Sequence, residues 1–175
     1  MIEVLVTIAI IVIGVLGLMR MQANLQLSEM ESYQRTQAIM LLNDMKHRIA
    51  TNRAYLADYK TINPLGEDFD CGGMSTTNAY DVDKKEWCEA IQGAAEVQIT
   101  GSALVGAMIG GRGCIEDITT NEYRITVAWK GLTPLKGPAS ITCGSGEYDE
   151  PGTVCVDDLC RRYVTTVIRA AELNL

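Results

Sequence analysis

MIEVLVTIAIIVIGVLGLM, residues 1–19, decides how the rest of this chain is read. As an α-helix it would extend about 28 Å, close to the hydrocarbon thickness of a bilayer. After Arg20 and Met21 the chain runs on as QANLQLSEMESYQRTQAIMLLNDMKHRIA, residues 22–50, without a proline or a glycine. A cleaved signal peptide is the competing reading, and it fits badly. No basic stretch leads into the apolar run, an acid stands at Glu3, and no small-residue cleavage pattern follows. A simple membrane anchor with a stalk is the plainer structural alternative.

The continuation is amphipathic. Met30, Ala38, Leu41, Leu42, Met45, Ile49 and Leu56 recur at helical steps, with Glu29, Glu31, Arg35, Asp44, Lys46 and Arg48 between them. The pattern predicts one helix of about 50–55 residues, apolar all round in its first half and one-sided in its second. Residues 1–24 form the apolar segment, a membrane anchor or filament core, and residues 25–175 form the head together with the amphipathic half of the helix. Glu3 is the informative residue. A carboxylate in a membrane helix costs about 2.5–3.5 kcal/mol at the centre and less near an end, so it is retained for a partner or kept hydrated at the interface.

Charge and cysteine content narrow the head. Glu3 and Arg20 cancel within residues 1–24, so the net charge of −7 falls on the remainder. An acidic head lacks the basic footprint that nucleic acid requires, and no nucleic-acid partner is expected. The six cysteines, Cys71, Cys88, Cys114, Cys143, Cys155 and Cys160, all lie beyond residue 70. An even count in a small head points to structural disulfides and an oxidising compartment. No CxxC pair occurs, which weakens a zinc reading. Spacing alone does not choose among the pairings. Cys155–Cys160, Cys88–Cys114 and Cys71–Cys143 are the trial set.

The head reads as α+β, a small antiparallel sheet packed on the second half of the long helix. Residues 61–82 are turn-rich and predict a loop. Asp83 is placed as the cap of a short helix over Lys84–Ala94. The glycines of residues 100–113 predict a flexible connection; a phosphate-cradling loop fails because no GK[ST] follows. Strands are expected at Cys114–Ile118, at Tyr123–Lys130 in half-buried alternation, and at Arg161–Ala170, with a turn at Thr119–Glu122 and a loop over 131–159.

No catalytic residues, cofactor or metal are assigned. His47 is the single histidine and reads as part of a solvated helix face. Carboxylates cluster at Glu67, Asp68 and Asp70 and at Glu147, Asp149, Glu150, Asp157 and Asp158. Calcium accepts such oxygens, but the spacing matches no EF-hand loop and a solvated-loop reading is preferred.

The Ile2-Glu3-Val4-Leu5-Val6 core resembles the N-terminus of type IV pilins and type II secretion pseudopilins, whose mature chains carry patterns like FTLIEVLV. Within that superfamily the chain is similar to the minor pilins of the PilV, or type IV pilus modification, group. That likeness is carried by Gly14 and Gly17 in the apolar run, Glu86-Trp87-Cys88, Gly110–Cys114, Tyr123–Gly131 and Cys160–Val164. The resemblance implies a pilin-like fold and a membrane-held subunit with its head in the periplasm, later part of an extracellular pilus. It implies that Glu3 pairs with the N-terminal amine of a neighbouring subunit during assembly. Other minor pilins, the major pilin and a large tip adhesin are the implied partners, with the inner membrane before assembly.

Two departures stand out. A leader and the first two mature residues, including the phenylalanine that is methylated, would precede Met1. The proline that often breaks the pilin helix is replaced by Arg20, so a more continuous helix is expected. The functional expectation is a minor pilin supporting assembly, twitching or adhesion. A minor pseudopilin, or a signal-anchored periplasmic enzyme or binding module, are the alternatives.

Overall fold

A computed structural model describes residues 2–93, 108–135, 137 and 140–169. One unbroken helix, α1, covers Ile2–Thr51. Gly14 and Gly17 do not interrupt it, which agrees with the expected continuity. The chain divides into two compact units, Met1–Tyr33 and Gln34–Leu175. The second begins where α1 buries its first side chain: Gln34, Ala38, Leu42, Met45 and Ile49 form the buried stripe. Their three- and four-residue steps place them on one helix face. Met30, expected on that stripe, is half exposed and lies in the first unit. Gln34 is buried in its stead at the stripe's start.

The helix stops at Thr51, whose Oγ1 donates to the Arg48 carbonyl at 2.8 Å. A 3-10 segment, Arg53–Tyr59, then turns the chain, kinked at Tyr55, and buries Leu56 and Tyr59. Strand β1 is only Leu65–Gly66. Helix α2 spans Ala79–Ile91 with Asn78 at its N-cap. It starts five residues ahead of the expected Lys84, and Asp83 lies inside it rather than capping it. Asn78 has the extended backbone of a cap, and its Nδ2 donates to the Asp81 carboxylate at 3.1 Å. The region 61–82 is therefore a loop only in part. The end expected at Ala94, and residues 94–107 of the glycine-rich stretch, lie outside the described residues.

Strands β2 (Arg112–Thr119), β3 (Glu122–Lys130) and β4 (Arg161–Arg169) complete the sheet, in the order β1-β2-β3-β4 and antiparallel throughout. Thr120 and Asn121 make the β2–β3 turn, and Asn121 takes positive φ, a conformation its short polar side chain tolerates. β4 pairs along the whole of β3, from Glu122↔Arg169 to Lys130↔Arg161. The expected end of the final strand at Ala170 lies outside the described residues.

One core holds these elements together. Ala38, Leu42, Met45 and Ile49 of α1 pack with Trp87 and Ile91 of α2 and with Ile115, Ile125, Val127 and Trp129 of the sheet. The Trp87 Nε1 donates to the Leu41 carbonyl at 2.9 Å, so the buried indole keeps a hydrogen bond. β3 departs from the expected alternation. It is buried on both faces from Ile125 to Trp129. Ala128 on the second face joins a smaller cluster with Cys114, Ile141, Cys143 and Tyr148. The long loop after β3 supplies that cover.

The disulfides are Cys71–Cys88, Cys114–Cys143 and Cys155–Cys160, and no described cysteine is free. The local bridge agrees with the trial pairing, while Cys88–Cys114 and Cys71–Cys143 are replaced. Strand geometry gives the reason. Successive residues face opposite sides of a sheet. Gly113 and Ile115 of β2 face α2 and the core, so Cys114 points the other way, to the loop that carries Cys143. Cys88 is left to meet Cys71 across the α2 flank.

Gly113 itself sits in β2, not in a flexible connection. A Cβ there would lie 2.4 Å from the Trp87 ring and 2.5 Å from Ile91 Cδ1. Gly113→Ala is expected to destabilise the head by about 1–3 kcal/mol through forced repacking of both side chains. Denaturant melts of the residue 34–175 unit within the full chain, followed by Trp fluorescence, would read the loss; an unchanged midpoint would refute this close packing.

Candidate assembly segment and the charge network of the head

The first unit is apolar on every side. Ile2, Leu5 and Ile13 are 79, 68 and 71% exposed, and Val4, Val6, Ile8, Ile10, Ile11, Leu16 and Leu18 are exposed with them. The helix is long and apolar enough to cross a membrane, and none of its most apolar stretch is buried within the chain. An aliphatic side chain of this size gains about 1.5–3 kcal/mol when removed from water. A continuous apolar surface of this kind marks a membrane or protein contact. The Thr7 hydroxyl is satisfied locally, donating to the Val4 carbonyl at 2.9 Å. Glu3 and Arg20 are the ionised side chains of this stretch, and among the described residues they form no ion pair. Glu3 is exposed in the first turn of α1.

The head keeps its charges for its own structure. Arg48, near the end of α1, contacts Asp44 at 2.9 Å, Asp83 at 3.1 Å and Glu86 at 2.6 Å. Tyr59 donates its hydroxyl to Asp83 and accepts from Asn52 Nδ2 at 3.1 Å. Burial, reinforced by that bond to Asp83, pushes the Tyr59 hydroxyl up to about 12. This network ties α1 to α2 and explains why Asp83 is needed inside the helix.

A second network joins the two acidic loops. Arg112 of β2 is buried and reaches Asp68 at 2.6 Å and Glu147 at 3.3 Å. Its guanidinium carbon lies 5.3 Å from the Tyr148 ring centre, and the Tyr148 hydroxyl donates to the Gly110 carbonyl at 2.8 Å. A third centre is Arg161 of β4, also buried. It donates to the Ile141 and Cys143 carbonyls at 2.6 and 3.1 Å and faces Asp158 at 3.4 Å.

The acidic residues singled out from sequence are thus divided among protein donors. Asp158 accepts from the Ser145 hydroxyl and the Gly146 N–H, both at 2.8 Å, and Asp149 accepts from the Asp158 N–H at 2.8 Å. Glu150 pairs with Lys130, and Asp70 accepts from the Gly73 N–H at 3.1 Å. Glu67 and Asp157 are exposed. Among the described residues no three His, Cys, Asp or Glu side chains converge as a metal site. His47 is exposed on α1, as expected of a solvated face.

Sequence reasoning missed Arg48, Arg112 and Arg161 as organising cations. Arg112 and Arg161 stand inside the GGRGC and CRRYV segments, but nothing in their spacing signals burial. It also missed Gln34, which is 4% exposed and whose amide has no hydrogen-bond partner among the described residues. Comparison of the chain with family models, curated proteins and solved structures finds no match.

Burial raises the Tyr148 hydroxyl from its ordinary 10.0 to about 12, against the opposing pull of Arg112. A phenol whose folded pKa exceeds its unfolded value contributes stability that is full below pH 10 and lost as the pH rises through about 12. The denaturant midpoint of the head is expected to fall across that window. Tyr148→Phe should start lower at pH 8 but lose less between pH 10 and 12, and an equal slope in both proteins would contradict the assignment.

Proposed function

We propose that this chain is a minor pilin of a type IV pilus, helping to initiate or cap the filament and so supporting twitching motility or adhesion. The observation that carries the reading is the first half of α1, an unbroken apolar helix with no cover inside the chain and an acid at Glu3. Support also comes from the resemblance of Ile2–Val6 to pilin N-termini and from a disulfide-bonded α+β head built on the second half of the same helix. An oxidising compartment suits those disulfides.

The physical logic is a change of apolar surroundings. The helix is held in the inner membrane with the head in the periplasm, then moves into the filament interior among other helices. Both places remove the same side chains from water, so the transfer itself costs little. Affinity in the dry interior is therefore not selective. Glu3 supplies register, because a carboxylate placed away from a cation there stays uncompensated. Other minor pilins and the major pilin are the proposed neighbours, with a large tip adhesin as a further one.

Deleting the gene should reduce surface pili and twitching. Normal pili with lost enzyme secretion would instead assign the chain to a type II secretion pseudopilus. Glu3→Ala should lower the amount of this subunit in sheared pili by at least about tenfold, since an unmatched buried ion is costly. Equal incorporation of the two proteins, measured by immunoblot of sheared filaments, would remove the role given to Glu3.

A further inference from the structure

The cation that answers Glu3 is unassigned by the helix itself. Seventeen residues separate Glu3 from Arg20, and no other ionised side chain lies between Met1 and Ser28. Because α1 is unbroken, the two charges stand about 25 Å apart along its axis and cannot meet within one chain. Both are exposed and surrounded by aliphatic side chains. Once that surface is covered, each needs a counter-charge from outside.

Resting on the filament reading, we infer that Glu3 of one copy meets Arg20 of a second copy, in a parallel pair of helices displaced along their axes by about 25 Å. The alternatives are disfavoured by charge and connectivity. A level parallel pair sets Glu3 against Glu3 and Arg20 against Arg20, and like charges repel in a dry interface. An antiparallel pair would satisfy both charges, but it would send the two acidic heads to opposite sides of a membrane. The displaced parallel pair leaves both heads on one side.

That displacement has structural consequences. It brings Thr7 level with Asn24, polar beside polar, and Ile10 level with Leu27, apolar beside apolar. These residues follow Glu3 and Arg20 at the four- and seven-residue steps of one helix face. Glu3 and Arg20 also point about 100° apart around the axis. Each helix therefore offers Glu3 to one neighbour and Arg20 to another. Such a head-to-tail contact is heterologous and repeats into an open helical array instead of closing as a dimer. In this arrangement Arg20, where the resemblance would place a helix-breaking proline, is an assembly residue.

The test uses the full chain in pilus-forming cells. Glu3→Arg and Arg20→Glu are each expected to lower subunit content in sheared filaments at least tenfold. The double variant Glu3→Arg/Arg20→Glu should recover at least half of the wild-type level. Co-expressed copies carrying Thr7→Cys and Asn24→Cys keep both charges, and the six native cysteines are held in three disulfides. On mild oxidation these copies should join 7-to-24 and not 7-to-7. A double variant as poor as the singles, a harmless Arg20→Glu, or a dominant 7-to-7 product would overturn the inference. Absence of the wild-type chain from filaments would overturn the filament reading. The cross-link in isolated membranes would then still decide the pairing, a 7-to-24 product supporting it and no such product refuting it.

Discussion

Water cannot be left against the first half of α1. Its aliphatic side chains are exposed in succession around the whole helix, and the chain supplies nothing to cover them. At about 25 cal/mol per Å² this is the largest unspent driving force in the molecule. It is also non-directional. Lipid tails and neighbouring helices satisfy it equally, so the apolar surface explains why the segment leaves water and not where it stops. Direction must come from polar groups. Within this stretch the ionised ones are Glu3 and Arg20.

The head solves a different problem. It must hold a sheet and two helices together with a core drawn from a modest length of chain. Apolar contact between α1, α2 and the sheet supplies one face. On the other face of β3 only Cys114, Ala128, Ile141, Cys143 and Tyr148 gather. The Cys114–Cys143 bridge fastens the covering loop there, and Arg161 satisfies the carbonyls of Ile141 and Cys143 beneath it. The disulfide constrains the unfolded chain while the guanidinium answers loop carbonyls that lack a strand partner. Removing either leaves the second face open to water.

Buried arginines recur because the acidic loops need internal cations. Arg112 gathers Asp68 and Glu147, which are distant in sequence, and Arg48 gathers Asp44, Asp83 and Glu86. Each centre makes several bonds at once, which suits a planar guanidinium better than an ammonium. Carboxylates that suggested a cation-binding loop are answered in large part by these side chains and by backbone N–H groups.

Sequence alone determined the elements with a strong period: the long helix, the strand at Tyr123–Lys130 and the strand from Arg161. It also determined the α+β class and the unusual placement of Glu3, because local periodicity and composition report burial directly. Tertiary structure decided what depends on facing. It moved the start of α2 to Ala79, since Asp83 is drawn to Arg48 and Tyr59. It buried the second face of β3, since a loop with no periodicity of its own folds over it. It chose Cys71–Cys88 and Cys114–Cys143, since strand alternation turns Cys114 away from α2. Spacing carries no information about which loop lies above a strand; that is settled only when the sheet and its covering segments pack together.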